Sequence, residues 1–155
     1  MILVLPVEPM GCPRPRATIR GKRAGMFMPK KYTDWQTRCA RAFTQRLTIP
    51  AREGRLDWLN RGRISIVAVF PRTATKPKGV ETPEWNGGGR LPFYNFDADN
   101  ICKAVMDALQ VSIRTDLGLK WDDKRLTIGG VDRWYSAVGE EPHIRVVLEK
   151  LEGSP

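Results

Sequence analysis

Asp97-Ala98-Asp99-Asn100-Ile101-Cys102-Lys103-Ala104-Val105-Met106-Asp107-Ala108-Leu109 reads as one helix with two sides of opposite character. Ile101, Val105, Ala108 and Leu109 recur at helical spacing and make an apolar face. Asp99, Lys103 and Asp107 fall at i, i+4 and i+8 and are turned roughly the other way, toward solvent or a substrate. Asp97 or its neighbour caps the start, and the helix is expected to run to about Gln110 or Ile113.

Outward from this helix the chain alternates strand and helix signals. Arg63-Ile64-Ser65-Ile66-Val67-Ala68-Val69-Phe70 has the β-branched content of a strand, and Pro71 ends it. Leu126 to Tyr135 and His143 to Leu148 read as two closing strands, joined through Gly139-Glu140-Glu141-Pro142 as a hairpin or near-hairpin. Upstream, Met1 to Val7 reads as a first strand, since it has no basic leader or cleavage site and is too short to span a bilayer. Trp35, Cys39, Ala42, Phe43 and Leu47 predict a helix from an N-cap at Thr33 to about Leu47, with Pro50 just beyond. Gly11-Cys12-Pro13-Arg14-Pro15-Arg16 and the following Arg20, Lys22, Arg23, Lys30 and Lys31 read as a basic loop, its prolines and glycines opposing regular structure. Residues 51 to 62 read as charged and irregular, and 71–96 as a long basic loop.

The 155 residues suit one domain, spanning the whole chain, of α/β composition in the α+β sense. A 41% hydrophobic content and five tryptophans supply a core, which excludes disorder as the default. Lys and Arg number 26 against 17 Asp and Glu, for a net charge of +9, so the chain favours polyanionic partners. Cys12, Cys39 and Cys102 form no C-x-x-C, which argues against a disulfide framework or a zinc knuckle and for a reducing cytoplasm.

Chemistry concentrates at Asp97, Asp99, Lys103 and the Trp121-Asp122-Asp123 segment. Carboxylates this dense, with no nearby histidine, suit a hard oxygen-seeking cation such as Mg²⁺, with Mn²⁺ an alternative. Each has a plainer reading: Asp97 as an N-cap worth about 1 kcal/mol, and Asp99 with Lys103 as a helix pair worth roughly 0.2 to 0.5 kcal/mol. Asp107, one turn past Lys103, is read as orienting that lysine. Arg14, Arg16, Lys22, Arg23, Lys76, Lys78 and Arg90 are candidates for DNA backbone contacts, informative only as a set. Phe93, Tyr94 and Phe96 are candidates for stacking on bases, with at least one expected in the core.

Arg14-Pro15-Arg16 after an opening strand, Asp97-x-Asp99-Asn100-x-x-Lys103-x-x-x-Asp107-Ala108-Leu109, and Trp121-x-Asp123 together resemble the RusA-type Holliday junction resolvases. These are small phage and bacterial endonucleases that cut four-way DNA. The resemblance implies a homodimer with a mixed β-sheet packed against helices, Mg²⁺-dependent hydrolysis, and paired nicks in branched DNA during recombination and repair. By position it makes Asp97, Asp99 and Asp123 the metal-binding carboxylates and Lys103 the catalytic lysine, with Asp122 adjoining the match. Two rival readings are a non-catalytic junction or DNA-binding protein and a transferase using D-x-D to hold a nucleotide-sugar. The first leaves the acids and Lys103 without a use. The second lacks a phosphate-cradling loop after a strand.

Overall fold

The computed structural model describes all residues except 14–15, 21–22, 79–80, 94–96, 123–124 and 152–155; for 16–20 and 23–27 only the backbone is described. Its elements are β1 (Ile2–Leu5), β2 (Arg16–Arg20), β3 (Arg23–Phe27), α1 (Lys30–Arg52), β4 (Gly62–Phe70), α2 (Thr82–Asn86), β5 (Leu91–Pro92), α3 (Ala98–Gln110), β6 (Thr127–Tyr135) and β7 (His143–Lys150).

Five strands form one mixed sheet in the order β1-β7-β4-β6-β5, and β2 pairs with β3 apart from it. β4 lies at the centre because both faces of its register are used: β7 runs antiparallel from Gly62↔Lys150 to Val69↔His143, and β6 runs parallel from Arg63↔Thr127 to Phe70↔Tyr135. A parallel neighbour requires a long crossover, and here that crossover contains α2, β5 and α3. One sheet face is apolar, with Leu3, Leu5, Ile64, Ile66, Ala68, Ile144, Val146 and Leu148 buried. They join Trp35, Cys39, Phe43 and Leu47 of α1 and Ile101, Val105, Ala108 and Leu109 of α3 in a single core. The chain is thus one α+β domain, and the four predicted apolar positions of α3 are all fully buried.

Four sequence expectations need correction. Residues 16–27, read as irregular, pair as the β2–β3 hairpin, with Arg20 opposite Arg23 across two intervening positions. The prolines lie before this segment and none lies within it, so nothing in 16–20 or 23–27 opposes strand pairing. Second, β6 and β7 do not pair: β4 separates them, and Ser136 N–H bonds to Phe70 O at 2.8 Å where the connection passes the end of β4. Turn residues at 139–142 signal a reversal, not the identity of the neighbour.

Third, α1 starts at Lys30 behind Pro29, whose φ of −55° suits a helix entry, and the Thr33 hydroxyl donates to Lys30 O at 2.9 Å instead of capping. The helix also runs to Arg52 with a buried Pro50 inside its last turn, where the missing N–H removes one ladder bond close to the helix end. Fourth, 51–62 and 71–96 contain structure. Asp57–Arg61 form a 3₁₀ turn around buried Leu59, and α2 and β5 sit within the predicted long loop.

Arg72 anchors that long segment. Its guanidinium donates to Gly89 O at 3.0 Å, to Ser136 O at 3.2 Å and to Trp85 O, and it lies 3.9 Å over the Trp85 ring. Arg90 pairs with Glu140, its Nε 2.8 and 3.0 Å from the two carboxylate oxygens. Phe93 stacks on Phe70 with centroids 3.8 Å apart and belongs to the core, as expected of at least one of the three aromatics before Asp97. Tyr94 and Phe96 lie outside the described residues.

Candidate active site

Asp97 occupies the N-cap position of α3 with extended backbone (φ −65°, ψ 140°), and its carbonyl accepts the first helical N–H groups, from Asn100 at 3.1 Å and Ile101 at 3.3 Å. Its side chain makes no capping bond. The carboxylate is therefore not consumed by the local role that N-cap acids usually fill. Asp99 is exposed in the first turn, where the helix dipole favours an anion. Among the described residues neither the Asp97 nor the Asp99 carboxylate enters a hydrogen bond or ion pair.

One turn further along, Lys103 Nζ lies 3.3 Å from Asp107 Oδ1, and Tyr32 of α1 donates its hydroxyl to Asp107 Oδ2 at 3.3 Å. An exposed ion pair of this kind adds little stability, because Lys103 is 63% exposed and screened by water. Its consequence is orientation. Asp107 is gripped from two helices and aims the ammonium along the side of α3 that carries Asp99, the role read for it in the sequence. Burial, with lesser contributions from Cys12 and Asp107, pushes the Tyr32 phenol well above its ordinary range, so it remains a donor.

Asp99, Cys102, Lys103, Met106 and Asp107 line one wall of a concavity of about 350 Å³, and Ile128 and Val131 of β6 line the other. Residues three apart on a regular strand face opposite ways. They share this cavity because β6 carries a bulge: Ile64 pairs with Ile128 and Ser65 with Gly130, leaving Gly129 as the extra residue. Glycine suits this position, since a Cβ at 129 would press on Ser65 Oγ and come within 2.8 Å of Arg63 Cδ, forcing those side chains to shift. Burial and the Asp99 carboxylate raise the Cys102 thiol pKa, which keeps it protonated and leaves oxygen as the ligand chemistry of this wall.

The second acidic segment is positioned by a residue that sequence reasoning missed. Asn60, in the 3₁₀ turn, accepts Asp122 N–H at 3.0 Å through Oδ1 and donates to Lys120 O at 3.4 Å through Nδ2. Its amide thus brackets Trp121, which is buried and lines one concavity with Leu56, Leu59 and Ile113, its indole N–H finding no partner among the described residues. Asp122 also meets Arg125, with Nε–Oδ2 at 3.6 Å. No signal in 51–62 marked Asn60, because an asparagine in a charged stretch looks like any turn residue.

Asp123 lies outside the described residues, as do Arg14 and Lys22 and the side chains of Arg16 and Arg23. Among the described residues no group of three or more histidine, cysteine and acidic side chains could hold a metal, so Asp97, Asp99 and Asp122 alone do not make a complete site. What is present fits a hard divalent ion: two uncommitted carboxylates on one turn, and a neighbouring thiol held neutral. The arginine-proline segment begins beside them, since Cys12 N–H bonds to Asn100 O at 2.9 Å in the first turn of α3. Lys76 and Lys78 are exposed, whereas Arg90 is committed to Glu140.

A mixed sheet backed by two helices here carries a carboxylate pair and an oriented lysine at the start of one of them, groups suited to a metal ion and a phosphate. The family model described as endodeoxyribonuclease RusA matches residues 6–149, and the chain belongs to that family. No curated protein matches it significantly. Family membership makes the protein one of the endodeoxyribonucleases.

Proposed function

We propose that this protein is a divalent-metal-dependent endonuclease that resolves Holliday junctions and related branched DNA by paired nicks, in recombination or repair. The observation that carries the reading is the start of α3: carboxylates of Asp97 and Asp99 without side-chain partners among the described residues, followed by a Lys103 aimed by Asp107 and Tyr32. Asp97, Asp99 and Asp123 would hold Mg²⁺ or Mn²⁺, with Asp122 adjoining. Bound there, the cation supplies Lewis acidity to the phosphate and lowers the pKa of water.

The remaining chemistry belongs to the chain. Lys103 places a positive charge where negative charge grows on the phosphate or leaving oxygen, a stabilisation strongest when the group is already oriented. Asp107 and Tyr32 do that orienting. Arg14, Arg16, Lys22, Arg23, Lys76 and Lys78 contribute backbone contacts that fix the register of the DNA. Arg90 is the weakest of the proposed DNA contacts because Glu140 already satisfies its guanidinium.

Paired nicks need two active sites, and one chain carries one acidic cluster, so the working unit is a two-fold dimer. The three cysteines are free and buried, and no helix among the described residues is long and apolar enough to cross a membrane. We place the activity in the cytoplasm of a bacterial or phage-infected cell. The test compares a four-way junction with a linear duplex of the same sequence, with and without Mg²⁺. Metal-dependent cutting of the junction alone is expected, abolished by Asp99→Asn with junction binding retained. Junction binding without metal-dependent cutting would overturn the catalytic reading.

A further inference from the structure

The polar side of α3 does not stop at Lys103. At 100° per residue, positions 99, 103, 107, 110 and 114 fall within about 80° of one another, so one stripe continues from Asp99 through Asp107 to Gln110 and Arg114. α3 passes directly into a turn of π-helix, Val111–Asp116, closed by Leu117 N–H on Ser112 O at 3.0 Å. Such turns are frequent at functional sites. Here one opens a second concavity of about 420 Å³, lined by Gln36, Asp107, Gln110, Val111, Arg114 and Thr115. Asp107 lines both concavities, so the two adjoin at that side chain.

The two carboxylates in or beside the groove already have partners. Asp107 is already neighboured by Lys103 and Tyr32, and Asp116 is held by the Thr44 hydroxyl at 2.6 Å, which also lies 2.9 Å from Ser112 Oγ. Arg114 is exposed and has no ion pair among the described residues. An exposed guanidinium flanked by two amides and a hydroxyl is a donor set for phosphate oxygens.

We propose that the Gln36–Gln110–Arg114 groove is a phosphate-binding subsite that guides one DNA strand away from the bond being cut, an inference that rests on the junction-cleaving reading. Lys103 and Arg114 are eleven residues apart, about 16 Å along the helix at 1.5 Å per residue. At 3.4 Å of rise per nucleotide, that distance spans about five nucleotides of one strand.

Ethylation interference on a four-way junction tests this, with Arg114→Ala as the variant. In the wild type, ethylation four to five nucleotides to one side of the cut bond is expected to block binding, and in Arg114→Ala that position should become silent. The variant should bind the junction about five- to tenfold more weakly, its salt dependence shallower by about one phosphate contact, with the cleavage rate at saturation unchanged. If the variant keeps the wild-type interference pattern and affinity, the subsite is overturned while the catalytic reading stands. If the wild type binds the junction but never cuts it, the catalytic reading is overturned, and the same interference, mapped from the branch point, still decides the subsite.

Discussion

Replacing Glu140 by glutamine should cost stability at neutral pH and nothing in strong acid. Hydrogen bonds from Arg90 dominate the Glu140 environment; they outweigh the cost of burial and are assisted by the Ala137 N–H at 2.9 Å. They hold the carboxyl at about 2, against an ordinary 4.5. At about 1.4 kcal/mol per pH unit, that interval sets a ceiling of roughly 3 kcal/mol. Water screens the pair, because the Arg90 side chain is 41% exposed, and the realised contribution should be nearer 1 kcal/mol. The folded-state pKa is depressed, so the contribution is complete above pH 4.5 and is lost as pH falls from there toward 2.

Glu140→Gln keeps an acceptor for Ala137 N–H but loses the charge, so the variant isolates the ion pair. Its Tm at pH 7 should lie about 2 to 4 °C below wild type. The gap should shrink below pH 4.5, nearly close by pH 2, and narrow in 0.5 M salt at neutral pH, where the Debye length is only a few ångströms. Thermal melts of both proteins across this range supply the measurement, and comparing the two removes every other titrating group. A gap that stays constant from pH 7 to pH 2.5 would refute the reasoning. The pair matters beyond stability because, with Val138 N–H on Gly88 O at 2.8 Å, it pins the segment that leads into Asp97.

Lys103→Ala should lower the single-turnover cleavage rate about a hundredfold or more while leaving junction affinity within about twofold. Lys78→Ala should do the reverse, and a Lys103 variant that loses affinity at an unchanged saturated rate would make Lys103 a backbone clamp. Asn60→Ala removes both bonds bracketing Trp121, worth about 1 kcal/mol together at an exposed site. Amide exchange of Asp122 should then quicken about fivefold and the Mg²⁺ concentration for half-maximal cleavage should rise, whereas unchanged exchange would show that Asn60 does not hold this segment.

What was legible in the sequence was what a single element encodes within itself. The apolar face of α3, its polar stripe and the β-branched run of β4 are written in local periodicity, and each appears where the period puts it. Choice of neighbour is not local. The residues at 139–142 signal a reversal, but only the match of β7 and β6 to opposite edges of β4 decides that they do not pair with each other. Gly129 escaped notice for the same reason: its need for glycine comes from Ser65 and Arg63 on another strand. Arg72 looked like one more basic residue until Trp85, Gly89 and Ser136 surrounded it.

The candidate site divides along this line. Asp99, Lys103 and Asp107 share one helix, so their spacing alone fixes their relative placement, with Asp97 at its N-cap. Trp121-Asp122 comes from a connector with no period of its own, and its backbone is fixed by an asparagine sixty-two residues before Asp122. That asymmetry bears on catalysis. The helix half of the site is seated on the core through Ile101 and Val105, whereas the described part of the connector is held by buried Trp121, by the Asn60 amide and by the Asp122–Arg125 pair. Substitutions in the connector should therefore show first as a greater demand for metal, and substitutions on α3 as a loss of rate that added metal does not restore.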